Sequence, residues 1–283
     1  MHTRKIVSIA AFTVFAATLT FTACKRDKNN NSNVDVEEDT YYADDQARMD
    51  QTFSDAQTLS DQAYDFGSVQ MKGGVNPTIL GSCATVTRDT TSSPRKITID
   101  FGTTNCLCND GRYRKGKIII TYTGKYRDSG SVLTIGFDDY YVNNNQVLGN
   151  KTVTNMGKNS SGQSYFNISV NGMMILNTTG DTISHVANRT RTWIAGESTT
   201  ALSDDVYSIT GSVTNTRANG KVVNYTITSP LTLALNCKWI EQGTVDITPA
   251  GATKARTLDY GSGTCDDQAT ITVNGKTRTI TLR

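Results

Sequence analysis

The chain has 283 residues, a formal net charge of +2 and only two histidines. One of these, His2, precedes an apolar leader, so the remainder cannot build a zinc site or a catalytic device from several histidines. No segment after the leader has the ~20 apolar residues that a membrane-spanning helix needs.

The amino terminus reads as an export signal. Arg4 and Lys5 precede an apolar stretch over residues 6–21, and small residues lead to Cys24. This order is typical of a signal peptide rather than a spanning helix. The cysteine resembles the cleavage point of bacterial lipoprotein signals, although Phe21 stands where that motif usually has Leu. The resemblance implies a signal peptide over residues 1–23, a lipidated Cys24, and anchoring to the outer membrane or cell surface. The alternative is a secreted protein without lipid.

Two segments precede the main body. The polar run over residues 24–36 predicts a flexible tether. Residues 37–66 predict one amphipathic helix, because Gly67 follows and apolar residues recur at helical spacing: Tyr42, Met49, Phe53, Ala56, Leu59, Ala63 and Phe66. Residues 24–66 contain four Lys or Arg against eleven Asp or Glu, whereas residues 67–283 contain 22 against 15. We therefore expect the acidic helix to dock on the basic body; a solvated acidic face is the alternative.

Residues 67–283 predict a mainly β domain. Short alternating runs rich in Thr, Val, Ile and Tyr are separated by turn signals, among them Asn171-Gly172, Asn219-Gly220 and Asn274-Gly275. Asn-Gly is the strongest short signal for a two-residue hairpin. We expect one large antiparallel sheet, sandwich-like or half-barrel-like, with the amino-terminal helix packed against it.

A repeated phrase predicts two disulfides. "IDFGTTNC" ends at Cys106 and "LDYGSGTC" ends at Cys265, and each follows a hairpin that begins near another cysteine, Cys83 or Cys237. Cysteines at the two open ends of a hairpin lie within bridging distance. We expect stapled hairpins over residues 83–106 and 237–265, with Asp100 and Asp259 capping turns.

Cys108 is left over by this pairing. It is a free buried thiol, a bridge to another chain, or the true partner of Cys83.

One row of side chains is a candidate ligand-binding site. On a strand, His185, Arg189, Arg191 and Trp193 share one face, which could hold an anion or stack on a sugar ring. The competing interpretation, which we favour, is an ordinary half-exposed strand.

Other motifs favour structural roles. Adjacent carboxylates such as Asp204-Asp205 point to opposite faces of a strand, so turn capping fits them better than glycoside hydrolysis or weak calcium binding. The basic run over residues 111–117 suits a turn or the docking surface for the acidic helix. We expect no metal, no cofactor and no nucleic-acid partner.

Two further features resemble Bacteroidota proteins. Thr90 and Thr182 each follow an aspartate, as in the short O-glycosylation motif of that lineage. Over residues 79–283, stretches such as "RTWIAG", "DDVYSITG" and "NCKWIEQGTVDI" resemble a family of Bacteroidota cell-envelope lipoproteins without an established function. The resemblance implies an envelope location and a β fold, and it carries no catalytic residues.

Three function classes remain open. The first is a non-enzymatic, lipid-anchored envelope protein with a binding or structural role and an envelope protein as partner. The second is a carrier of a lipid or other apolar cargo, in which the helix covers the open face of a curved sheet. The third is a glycan-binding or glycan-acting surface protein. An apolar cavity under residues 37–66 would favour the carrier, and a solid core there would favour a structural role.

Overall fold

A computed structural model describes residues 31–65, 80–199, 201–237, 239–254 and 256–282. Within these residues the chain forms one helix, a short 3₁₀ turn at Leu202–Asp204 and fourteen strands. The helix is α1 (Asn31–Asp65). The strands are β1 (Thr85–Asp89), β2 (Arg95–Asp100), β3 (Cys106–Leu107), β4 (Tyr113–Tyr122), β5 (Val132–Val142), β6 (Asn145–Lys158), β7 (Ser164–Ile175), β8 (Thr182–Ala195), β9 (Val206–Arg217), β10 (Val222–Ala234), β11 (Gln242–Pro249), β12 (Arg256–Ser262), β13 (Gln268–Val273) and β14 (Lys276–Thr281).

The strands form a single open antiparallel sheet. Its order is β1-β2-β4 and then every strand in sequence to β14, while β3 pairs with β4 beside this path. The predicted β class, antiparallel sheet and packed helix are therefore confirmed. There is one sheet, so the sandwich form of the prediction is not the arrangement.

The sheet curves around the helix. Arg189 of β8 and Tyr260 of β12 line the same small cavity together with Asp50 of α1. Four strand spacings would separate β8 from β12 by ~19 Å in a flat sheet. The common cavity therefore requires the sheet to bend, and its concave face holds the helix.

The helix crosses the strands rather than running along them. The apolar residues predicted for its buried stripe, apart from Phe66, which lies outside the described residues, are at most 2% exposed: Tyr42, Met49, Phe53, Ala56, Leu59 and Ala63. Six contacts along the helix step across the sheet from β10 to β1: Tyr42 with Tyr225, Asp45 with Arg217, Asp50 with Arg189, Phe53 with Lys151, Asp55 with Arg114, and Ala63 with Arg88.

The helix begins earlier than the sequence predicts. It starts at Asn31, so the second half of the predicted tether over residues 24–36 is helical. Residues 31–36 lack the apolar periodicity on which the prediction relied, but adding residues to an existing helix costs far less than nucleating one. Among the described residues, no helix is long and apolar enough to cross a membrane.

The convex face is polar. Side chains that lie opposite one another on successive central strands are mostly hydroxyl-bearing: Thr121, Thr134, Thr152, Ser169, Asn188, Ser212 and Thr226. Period-two alternation thus places most of the apolar strand residues against the helix, together with a few buried polar ones such as Lys151 and His185.

Two of the three predicted Asn-Gly turns are turns. Asn219-Gly220 and Asn274-Gly275 connect neighbouring strands, but Asn171-Gly172 lies inside β7 and pairs with Asn150 and Gly149 of β6. The prediction of a hairpin there is wrong. A turn that it missed, Asn143-Asn144, has φ angles of 48° and 66° and joins β5 to β6.

Candidate functional site

The predicted row on β8 lies on the concave face, under the helix. His185 and Trp193 are buried, at 1% and 4% exposure, and Arg189 and Arg191 lie between them on the same face. The row does bind an anion, but the anion belongs to the chain itself. The carboxylate of Asp50 on α1 accepts a hydrogen bond from Arg189 at 2.8 Å.

A closed set of polar contacts surrounds that carboxylate. Nδ1 of His185 donates to the side-chain oxygen of Asn215 at 2.7 Å, and Asn215 donates to Gln46 at 3.0 Å. Gln46 donates to Asp50 at 2.7 Å, and Nε2 of His185 lies 3.6 Å from Asp50. His185 and Arg189 of β8 and Asn215 of β9 thus contact Gln46 and Asp50 of the helix, although Nε of Arg189 is buried without a hydrogen-bond partner.

The pKa values of this set follow from burial and charge. Burial lowers the pKa of His185 below its ordinary value, and Asp50 opposes that shift only in part. Burial would raise the pKa of Asp50, but Arg189 and His185 outweigh it and hold that pKa low. At neutral pH the geometry is therefore a carboxylate paired with arginine beside a neutral imidazole.

Lys151 on β6 adds a further buried cation. It is 5% exposed, and its ammonium donates to the carbonyl oxygen of Phe53 at 3.1 Å. Burial, with Arg191 the next contributor, lowers its pKa to about 7. A pKa this low is common among functional lysines, but here the ammonium is hydrogen-bonded to the backbone of the helix.

Arg191 is surrounded by aromatic rings at the edge of the groove, which is the concave face of the sheet that holds α1. Its guanidinium is 4.6 Å from the ring centre of Tyr207 and 5.4 Å from that of Phe166, and it donates to the hydroxyl of Tyr126. Tyr126 belongs to the β4–β5 loop, which folds over this end and stacks on Phe166 at 4.8 Å. The loop and the arginine close the groove beyond the helix.

Trp193 is also enclosed. Its indole nitrogen donates to Asp205 at 3.2 Å, and the guanidinium of Arg127 lies 4.6 Å from its ring. This tryptophan is therefore not presented as a platform for a sugar ring.

The basic run over residues 111–117 is a docking surface for the helix. Arg114 is fully buried and binds Asp55 of α1 and Asp110, each at 2.6 Å. Arg112 lies 3.3 Å from Asp55 as well. The expectation that the acidic helix docks on the basic body is confirmed here.

The cavity described under the helix is small. A cavity of about 10 Å³ lies between the helix and strands β8–β12, lined by Asp50, Arg189 and Tyr260 among others. Such a volume holds one water molecule at most.

The cysteines pair as the repeat predicts. Cys83 bridges Cys106 and Cys237 bridges Cys265, with Cα separations of 5.6 and 5.8 Å. Cys108 is a buried free thiol, and burial raises its pKa. Glu241 approaches the second pair, but sulfurs in a disulfide are not available to a metal.

The repeated phrase builds the same turn twice. The carboxylate of Asp100 accepts from the backbone N–H of Gly102, and that of Asp259 accepts from Gly261, both at 2.8 Å. Both glycines have positive φ angles, 77° and 92°. The phrase therefore encodes a capped turn that leads each strand towards its disulfide.

The remaining predicted positions are spread out. Thr90 is exposed in the β1–β2 turn, whereas Thr182 begins β8 and is half-buried. Cys24 and residues 1–23 lie outside the described residues. Thr182 lies three residues before His185 on β8, so its side chain points to the opposite face of the sheet from the row.

No protein-family model, curated protein or solved structure matches the chain. The geometry of the chain's own residues is therefore what bears on function.

Sequence reasoning missed Lys151 and the helix carboxylates as members of this set. A signal for the lysine was present, because Val147, Lys151 and Val153 share the inward face of β6. A lysine at an inward position of an alternating strand indicates a buried amine. No comparable signal distinguishes Asp50 from the other acids of the helix.

Proposed function

We propose that the protein is a lipid-anchored, non-enzymatic protein of the cell envelope, at the outer membrane or cell surface, with a binding or structural role. The signal-like leader and Cys24 support the anchor. The two cysteine pairs at bridging distance suit the oxidising compartment that exported proteins meet.

The observation that carries the non-enzymatic role is the occupied groove. The buried histidine, arginines and lysine that could act on a substrate are bound to α1 or enclosed by aromatic rings. Phe53 and the other apolar residues of α1 pack against the apolar residues of the concave face. A groove filled this completely supports a rigid scaffold that presents its outer surfaces to partners.

The carrier is the main rival. A helix across a curved sheet is an arrangement that could open to admit a lipid, and this favours keeping the carrier as the alternative. The cavity between the helix and strands β8–β12 has a volume of about 10 Å³, far below the 300–1,000 Å³ typical of ligand pockets. A carrier would have to expel the helix and break its ion pairs first.

The glycan-acting class has less support. It needs aromatic rings and opposed carboxylates in one cleft. Trp193 is enclosed, and Asp205 is bound to its indole.

The anchor is tested by metabolic labelling of cells with an alkyne analogue of palmitate. We expect label on the wild-type protein and none on Cys24→Ala, which should accumulate uncleaved or leave the membrane fraction. Label that persists on Cys24→Ala would overturn the anchor.

The carrier is tested on the protein purified from its native membrane. We expect mass spectrometry of an organic extract to show no lipid at stoichiometric amounts beyond the acyl chains bound to Cys24. A stoichiometric free lipid would establish the carrier instead.

A further inference from the structure

The free edge of β14 differs from the opposite edge of the sheet. At β1, Arg88 donates to the carbonyl oxygens of Ala63 and Tyr64 and so ties that edge to the end of the helix. At β14, no strand among the described residues pairs with the outer side. Five of its six residues are exposed, and Ile280 is half-buried.

The hairpin geometry fixes which groups of β14 face outward. Asn274 and Gly275 form a two-residue turn with φ angles of 51° and 76°, so the flanking residues Val273 and Lys276 exchange both hydrogen bonds. Hydrogen-bonded positions then alternate along the strand. The backbone N–H and C=O groups of Lys276, Arg278 and Ile280 therefore bond to β13. The hydrogen bond from the backbone N–H of Leu282 to the carbonyl oxygen of Asp267 agrees with this alternation.

The backbone groups of three threonines consequently point away from the sheet. Thr277, Thr279 and Thr281 each present an N–H and a carbonyl to a further strand. An exposed row of this kind is a template for strand addition.

The charges of β14 select what can add. Lys276 and Arg278 lie on one face of the strand, in register with Val273 and Ile271. If a second copy of β14 paired with this edge, Lys276 and Arg278 of both copies would lie close together. The repulsion among these four cations disfavours pairing between copies. An added strand with acidic side chains on that face would place opposite charges side by side.

We propose that the β14 edge binds an extended segment of a partner protein that carries acidic residues at alternate positions. The partner adds a fifteenth strand through the backbone of the three threonines, and its acids pair with Lys276 and Arg278. This inference names the partner class of the proposed binding role and rests on that role alone, not on the lipid anchor.

The test uses the full mature protein and two nine-residue peptides with capped ends, one alternating Glu with Thr and one alternating Lys with Thr. Binding is followed by fluorescence anisotropy of a labelled peptide. We expect the Glu peptide to bind at least about tenfold more tightly than the Lys peptide, with an affinity that falls as salt is added.

Three variants separate the contribution of the backbone from that of the charges. Thr279→Pro removes one outward N–H and should abolish binding, while Thr279→Ala keeps that N–H and should bind as the wild type does. The double variant Lys276→Glu with Arg278→Glu should reverse the preference and favour the Lys peptide. All three should unfold at the wild-type temperature, because the inward ladder is untouched.

Three results would overturn the inference. They are equal binding of both peptides, unchanged binding by Thr279→Pro, and a wild-type dimer in sedimentation analysis that is monomeric in the Thr279→Pro variant. The last would assign the edge to a second copy. None of these depends on whether Cys24 is acylated, so failure here and failure of the anchor are distinguishable.

Discussion

Gly172 shows how one absent side chain positions the helix. A Cβ built on it would lie 2.0 Å from Cζ of Phe53, and its φ is not in the left-handed region. The glycine is therefore not needed for a turn. It leaves room on β7 for the aromatic ring of α1, which also stacks on His185 at 5.7 Å.

We predict that Gly172→Ala destabilises the protein by roughly 3 kcal/mol, because the added methyl overpacks a rigid contact. Gly136→Ala is the matched control, since the nearest atom to its Cβ is a backbone oxygen at 3.9 Å. That control should be neutral or stabilise by up to about 1 kcal/mol. Urea unfolding measures both.

The same prediction has an internal check. In a Phe53→Ala background the ring is gone, so Gly172→Ala should cost less than about 1 kcal/mol. An equal cost in both backgrounds would mean that the ring is not the cause.

Lys151 links stability to pH. An unfolded lysine titrates near 10.4, and burial lowers the folded pKa of Lys151 to about 7. Between these pH values the unfolded chain binds more protons, so this group makes the protein more stable as pH rises from about 7 towards 10. Asp50, Asp61, Arg189 and Arg191 are the other charges that act on it.

We predict that Lys151→Met flattens this rise in the free energy of unfolding and stabilises the protein at neutral pH, because an apolar side chain suits the site better than a buried ammonium. Lys96→Met, at an exposed position of β2, should leave the pH dependence unchanged. Urea denaturation at pH 7 and 9 compares the three proteins. A steeper slope in Lys151→Met would contradict the assignment.

At the scale of elements, apolar burial and ion pairs together seat the helix on the sheet. Its apolar stripe is fully buried, and Asp45, Asp50 and Asp55 each bind an arginine of a different strand. Because these arginines stand on β9, β8 and β4, the pairs fix where the helix lies along its own axis. Together with the close contact between Phe53 and Gly172, these charge pairs specify one register of the helix on the sheet.

We predict that Asp50→Asn lowers the free energy of unfolding by about 3 kcal/mol, because Arg189 then remains under the helix without its counter-charge. Asp44→Asn makes the same chemical change on the same helix at a position with no ion pair among the described contacts. It should change stability by less than about 0.5 kcal/mol. Thermal and urea unfolding measure the stability of both variants. Equal effects would contradict the proposed role of the ion pair between Asp50 and Arg189.

At the scale of the whole molecule, one core joins the helix to the sheet. Buried residues of α1 and of strands from β2 to β13 belong to a single contiguous cluster, and a small second cluster surrounds Trp193. Removing the helix would expose the whole concave face. The helix and the sheet should therefore fold as one cooperative unit.

We predict that the loss of helical signal in circular dichroism and the change in tryptophan fluorescence occur at the same urea concentration. Coincident transitions are the test of a two-state protein. An earlier loss of helix would show that α1 leaves the groove on its own, and would revive the carrier.

The local sequence determined the β class, the amphipathic helix and both disulfides, because periodicity, turn residues and cysteine spacing act over a few neighbouring positions. It also placed His185, Arg189, Arg191 and Trp193 on one face. Only the tertiary structure decided what that face meets. Asp50 is one acid among many on α1, and its partner Arg189 lies 139 residues away. Such a pair depends on sheet curvature and helix register, which no local pattern encodes.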